Sequence, residues 1–149
     1  MKKRGLSPVV ATVGLIVIAL ALFFIIFFWT RSFMKEKVMK FGYPIEDMCD
    51  DVAWNVGLSD STITISNNGN VNIWKIMVVK YLAGKKVTEF YSASGKPDEA
   101  LPAGGAASFG INVDGASKIE IYPVLLGKGE KSAKNYEYVC KNKFERFEF

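Results

Sequence analysis

The side chains able to do chemistry in this chain are few. Its 149 residues include no histidine, which removes the commonest general base and the commonest transition-metal ligand together. Two cysteines, Cys49 and Cys140, make no credible zinc site without it. Four carboxylates crowd beside Cys49, namely Glu46, Asp47, Asp50 and Asp51. Their spacing matches no calcium loop, and a solvated acidic face is the plainer reading. Gly105-Ala-Ala-Ser-Phe-Gly110 has the glycine spacing of a phosphate loop, but Ile111-Asn112 stands where Lys and Ser or Thr are needed. It reads as a loop entering a strand. No nucleophile-plus-base constellation is present, so the expectation is no enzyme, no cofactor and no metal.

The elements that carry these residues fall into two unlike parts. From Val9 to Trp29 there is no charged residue. A hydrocarbon core of about 30 Å needs roughly 20 helical residues, so this run is long enough to span it. Lys2, Lys3 and Arg4 precede the run, and Arg31, Lys35, Lys37 and Lys40 follow it; from Phe41 onward there are 12 basic and 14 acidic side chains. The net charge of +4 therefore belongs to membrane flanks, and no nucleic acid is expected as a partner. Ser7-Pro8 is a good helix start. Only Gly14 interrupts the pattern before Gly42 and Pro44, which predicts a helix reaching about Lys40, roughly 50 Å long. A secretory signal has a shorter apolar core ending at a small-residue cleavage site. Here the run ends in Phe27-Phe-Trp-Thr-Arg31 and is expected to be kept.

The opening Lys2-Lys-Arg-Gly5 followed by Leu6-Ser-Pro-Val-Val-Ala-Thr-Val-Gly-Leu-Ile-Val-Ile-Ala-Leu20 resembles the class III signal of archaeal type IV pilins. In that family a short basic leader lies before the hydrophobic helix. The resemblance implies that a prepilin peptidase cuts after Gly5, leaving Leu6 as the mature amino terminus. Bacterial relatives usually carry Glu five residues into the mature chain, where this sequence has Val10, a departure that favours the archaeal branch. The helix, apolar on every side, must face lipid or other copies of itself. The expected polymerisation face is Val9, Val13, Ile16, Leu20, Phe24 and Phe27.

After Gly42 the composition shifts towards Val, Ile, Thr, Tyr, Asn and Gly. Strands are predicted at Val52–Val56, Thr62–Ser66, Ile73–Leu82, Val87–Ser92, Ala107–Val113, Lys118–Leu125 and Tyr136–Cys140, with turns at Asn67-Asn-Gly-Asn70 and Ala83-Gly-Lys85. Seven short strands imply a two-sheet sandwich. The Asn67–Asn70 turn and the Leu101-Pro-Ala-Gly-Gly105 loop are similar to features of immunoglobulin-like carboxyl-terminal domains of archaeal pilins and other surface proteins. The fold class is thus α+β: a long amino-terminal helix followed by an all-β immunoglobulin-like sandwich. The expected division is a leader at 1–5, a helix at 6–40 and an extracellular sandwich at 41–149. The tail from Lys141 to Phe149 reads as a short helix or strand covering an edge or docking on a neighbour.

In a chain whose soluble part lies outside the membrane, an even cysteine pair at the two ends of a domain is most simply the disulfide Cys49–Cys140. Two independent buried thiols are the other reading. No Asn stands two places before Ser or Thr, so the usual N-glycosylation is not expected. Two functions follow. The first is a pilin: a homo-polymeric adhesive filament subunit whose implied partners are the prepilin peptidase, an assembly ATPase and a membrane platform protein. The second is a single-span, membrane-anchored β-sandwich binding module of the cell envelope.

Overall fold

The computed structural model describes residues 8–33, 38–40 and 42–149. The chain divides into two compact units, Met1–Glu36 and Lys37–Phe149.

The first unit holds helix α1, Pro8–Phe33. Every residue from Pro8 to Thr30 is exposed, and this stretch is long and apolar enough to cross a bilayer. Its two threonines keep their hydroxyls off the apolar surface: Thr12 donates to the carbonyl of Val9 and Thr30 to that of Ile26. Such return bonds let a polar side chain sit on a lipid-facing helix without an unsatisfied donor. The helix passes Gly14 without a break.

The helix does not continue through Lys40. Residues 38–40 form strand β1, pairing with β2 (Tyr43–Pro44) on one edge and with β8 (Lys118–Gly129) on the other. Gly42, at φ +81°, makes the reversal between β1 and β2 that a side chain would resist. Sheet pairing overrides the helical propensity of the segment.

The second unit is a two-sheet sandwich. After the one-turn helix α2 (Ile45–Met48) come β3 (Trp54–Ser59), β4 (Thr62–Asn67), β5 (Lys75–Leu82), β6 (Lys85–Ser92) and β7 (Ala106–Gly110). Then follow β8, β9 (Asn135–Val139) and β10 (Glu145–Glu148). The smaller sheet has the order β3-β4-β7; the larger runs β2-β1-β8-β5-β6, with β9 and β10 also on β8. Strand β8 is the spine. One edge pairs with β5 at Lys118–Val124 and then with β1 at Lys128–Gly129, while the other is tiled by β10 at Lys118–Ile121 and β9 at Val124–Lys128.

The alternation Thr-Ile-Thr-Ile of β4 buries Ile63 and Ile65 completely, as a strand half facing a core must. Across from them lie Ile76, Val78, Ile119, Ile121 and Leu125 of the larger sheet, with Trp54 from β3. Burying side chains of this size is worth roughly 1.5–3 kcal/mol each. The predicted strand at 52–56 lies instead at Trp54–Ser59, because Val52 is held in a turn by the carbonyl of Cys49. The predicted Ala83-Gly84 turn closes the β5–β6 hairpin with Leu82 opposite Lys85 and Gly84 at φ +72°. The tail beyond Cys140 forms β10, covering part of the β8 edge.

Cys49, just past α2, and Cys140, just past β9, are joined in a disulfide with Cα atoms 5.5 Å apart, and both residues are buried in the core. A bridge closing so long a loop contributes on the order of 4–5 kcal/mol in chain-entropy models.

Candidate functional site

The two loop motifs singled out in the sequence are one structure. Asn67, fully buried at the end of β4, donates through its side-chain amide to the carbonyls of Val71 (2.9 Å), Leu101 (3.2 Å) and Pro102 (3.1 Å). Its Oδ1 accepts from the backbone of Gly69 (3.2 Å). Its own backbone N–H donates to Gly105 and its carbonyl accepts from Gly104, both at 2.8 Å. Every polar atom of the residue is used, as burial demands. Gly69 is required beside it, since a Cβ there would lie 2.7 Å from the backbone of both Asp51 and Ala53. Asn67 is thus a structural staple between the two loops.

The far face of the larger sheet is chemically richer. Alternation puts Ile76, Val78, Ile119 and Ile121 on the core side and leaves Met77, Val79, Tyr81, Glu120 and Tyr122 facing away from it. Register then sets three rows across four strands. Phe90, Met77 and Tyr122 stand side by side, with Phe144 stacked on Tyr122 at 5.2 Å. The next row is Thr88, Val79, Glu120 and Arg146, and the third is Lys86, Tyr81, Lys118 and Glu148.

Glu120 is sunk in this face, 5% exposed. One carboxylate oxygen accepts from the Tyr81 hydroxyl (2.8 Å) and the Tyr122 hydroxyl (3.0 Å). The other faces Lys118 Nζ at 3.3 Å and Arg146 Nη2 at 3.1 Å. Burial pushes its pKa up, but the hydrogen bonds from Tyr81, Tyr122 and Lys118 outweigh burial and hold the carboxyl down at about 2. The Tyr122 phenol moves up, through burial and then through its bond to the carboxylate. Cations lie over the rings: Lys118 Nζ is 4.0 Å and Lys86 Nζ 5.4 Å from the Tyr81 centroid, and the Arg146 guanidinium is 5.5 Å from that of Phe144.

A second ion pair, of a buried Lys80 with a part-exposed Glu89, lies on the core side. Lys80 Nζ contacts Glu89 at 2.7 Å and the carbonyl of Asn112 at 3.2 Å. Tyr91 donates to the other Glu89 oxygen. The bonds from Lys80 and Tyr91 lower the Glu89 pKa, while burial and that bond raise the Tyr91 phenol. Both carboxylates are held by donors, Glu120 by four and Glu89 by two.

Of the acidic cluster, Glu46 and Asp47 lie in the first turn of α2, and Asp50 and Asp51 follow it, all four exposed. Asn142 donates to Asp50 at 2.9 Å. Among the described residues none of the four is in an ion pair, and no group of three or more His, Cys, Asp or Glu is arranged to hold a metal. A cavity of 760 Å³ opens between Lys40, Asn72, Trp74, Leu126 and Lys128. There Lys40 is half-buried, which lowers its pKa, and Trp74 donates to Glu137 at 3.2 Å.

Gly5 and Leu6, the expected cleavage junction, lie outside the described residues. The expected polymerisation face of Val9, Val13, Ile16, Leu20, Phe24 and Phe27 is exposed, as is the rest of the circumference, so no single stripe is distinguished. Sequence reasoning passed over Asn67 and Glu120. The signal for Glu120 was a lone carboxylate between Ile119 and Ile121 in a strand otherwise apolar up to Leu126.

No family model and no curated protein matches the chain. A solved structure described as the X-ray structure of Northeast Structural Genomics Consortium target SoR45 is 14% identical, with a TM-score of 0.39, covering 68% of this chain and 89% of its own. A likeness of that size carries no functional argument.

Proposed function

We propose that the chain is a filament subunit of the archaeal type IV pilin kind. On this reading it is cut after Gly5 by a prepilin peptidase and polymerises through α1 into an adhesive surface filament, served by an assembly ATPase and a membrane platform protein. The observation that supports it is the exposure of α1 on every side beside a sandwich that buries its own core and closes it with a disulfide. Such a helix is insoluble alone. It needs lipid before assembly and, on this reading, other copies of itself afterwards. The disulfide fits a location outside the reducing cytosol, and heterologous contacts that do not close would make an open array.

The test is the intact mass of the natural protein together with electron microscopy of sheared cell-surface material. A chain beginning at Leu6 within filaments supports the reading; a chain beginning at Met1 and found solely as a membrane monomer overturns it.

The second reading, a single-span envelope module displaying a binding domain, is favoured by the cavity beside Trp74 and Leu126. Its size lies within the range of small-molecule pockets.

A further inference from the structure

The larger sheet has a gap. Along one edge of β8 the pairing with β5 ends at Val124, opposite Lys75, and the pairing with β1 starts at Lys128, opposite Met39. Leu126, midway, is opposite neither strand. Alternate residues of a strand bond to opposite sides, and Pro123 and Gly129 bond to Cys140 and Lys134 on the β9 side. The N–H and carbonyl of Leu126 therefore point into the gap, and its pairing with Glu137 is of the non-hydrogen-bonded kind. Among the described residues no backbone group bonds to either. The 760 Å³ cavity opens at this place, with Leu126 in its lining.

The chain is bent so as to bring an indole there. The Trp74 N–H donates to the Val124 carbonyl at 2.9 Å, although Lys75 is the residue in register with Val124. Two residues thus stand against one, a β-bulge, which re-aims a side chain. Trp74 Nε1 donates to Glu137 at 3.2 Å, and Glu137 is the residue opposite Leu126, so the ring is held beside Leu126. On another wall Lys40 reaches the carbonyl of Asn72 at 3.4 Å. Asn72 Oδ1 accepts from the Ala103 N–H at 3.2 Å, and its Nδ2 makes no bond among the described residues.

We infer that this gap binds a pyranose saccharide: two adjacent hydroxyls bond to Leu126, one accepting from its N–H and the other donating to its carbonyl, while a C–H face of the ring lies on the indole of Trp74. In an extended residue the N–H and C=O stand about 3 Å apart and point the same way, which matches neighbouring ring hydroxyls. An isolated secondary amide does not match them, because its own N–H and C=O point in opposite directions. A peptide strand does not fit, because β5 and β1 already hold the edge on both sides of residues 125–127. A planar base offers its donor and acceptor along one edge. Asn72, Glu130 and Asn135 are instead exposed around the lining and suit a ring with hydroxyls on its whole circumference. The inference rests on the reading of the sandwich as a binding domain and names its ligand; it does not depend on whether α1 polymerises.

Saturation-transfer NMR of the full chain, in a detergent without sugar headgroups, tests it with the methyl glycosides of glucose, galactose and mannose as probes. At least one should receive magnetisation, most strongly at the C–H protons of one ring face. Among its deoxy analogues, loss of either hydroxyl of one vicinal pair should weaken binding by about tenfold or more. Trp74→Ala should weaken it to a similar degree, whereas Trp74→Phe, which keeps a ring and loses the bond to Glu137, should retain most of it. Equal binding of every deoxy analogue by the unaltered chain, or undiminished binding by Trp74→Ala, overturns the site. Transfer to uracil or propionamide and to no glycoside overturns the ligand class and leaves the binding domain standing. No transfer to any probe overturns both.

Discussion

The side-chain amide of Asn67 donates to the carbonyl of Leu101, 34 residues further along the chain, and so ties the Asn67–Asn70 turn to the Leu101–Gly105 loop. The tie is short-range in space and long-range in sequence, a kind of contact that removes much chain freedom for one side chain. Asn67→Ala would strand the carbonyl of Val71, while those of Leu101 and Pro102 keep the N–H groups of Ile73 and Gly105. A stranded buried group costs about 1–3 kcal/mol, and with the other lost bonds the total should be about 3 kcal/mol. Asn67→Asp should be at least as damaging, because a carboxylate cannot donate. Asn68→Ala, which loses one exposed bond from Ser66, should cost about 1 kcal/mol or less. Denaturant melts of the full chain in detergent, followed by Trp fluorescence, would separate the three.

Glu120 makes stability depend on acid. Its folded pKa of about 2 lies below its ordinary value of 4.5. The stabilisation is therefore fully present above pH 4.5 and is lost as pH falls towards 2. Glu120→Gln should cost about 1–3 kcal/mol at neutral pH and flatten the fall in melting temperature across that window. An equally steep acid limb in the variant would place the titrating group elsewhere.

Replacing Cys49 or Cys140 by Ser should lower stability by about 2–5 kcal/mol. The loss should match that produced by reducing the native protein, and reduction should leave the variant's melting curve unchanged.

Asn68-Gly69 is a sequence prone to deamidation, in which the Gly69 nitrogen attacks the Asn68 side-chain carbonyl, ammonia leaves, and water opens the resulting ring. Here that nitrogen already donates to Asn67 Oδ1, and Gly69 is wedged against Asp51 and Ala53. Peptide mapping after long incubation should find much less aspartate and isoaspartate at this position in the folded protein than in the reduced, denatured chain. Gly69→Ala, whose Cβ would meet backbone at 2.7 Å, should destabilise by about 1–3 kcal/mol.

Gly5→Arg should block removal of the leader and leave the precursor in the membrane. Mature-length chain from this variant would show that the junction lies elsewhere.

Most of the sandwich was legible because its strands alternate. Thr62–Ser66 showed which side is buried, and Ala83-Gly84 marked a tight hairpin. The helix was legible too, but its end was not: nothing in residues 34–40 forbids a helix, and only pairing with Lys128 and Gly129, about 90 residues away, makes a strand of 38–40. The same holds for β10, whose mixed charges and phenylalanines suit either element until β8 lies beside it. The roles of Asn67 and Glu120 were hidden for another reason. A buried polar residue is recognised by the partners that satisfy it, and those partners come from distant segments.

The position of the Cys49–Cys140 bridge decides where tension would travel. A pull between α1 and the far end of the chain would peel away β1, β2 and α2, at most about 50 Å of slack from residues 34–48, and then meet a covalent crossing. From Cys49 the load jumps to Cys140 and leaves through the tail, bypassing the 90 residues between. The sandwich would hang beside the line of force like a lantern on a cable, and it would stay folded while the strand holding it is stretched.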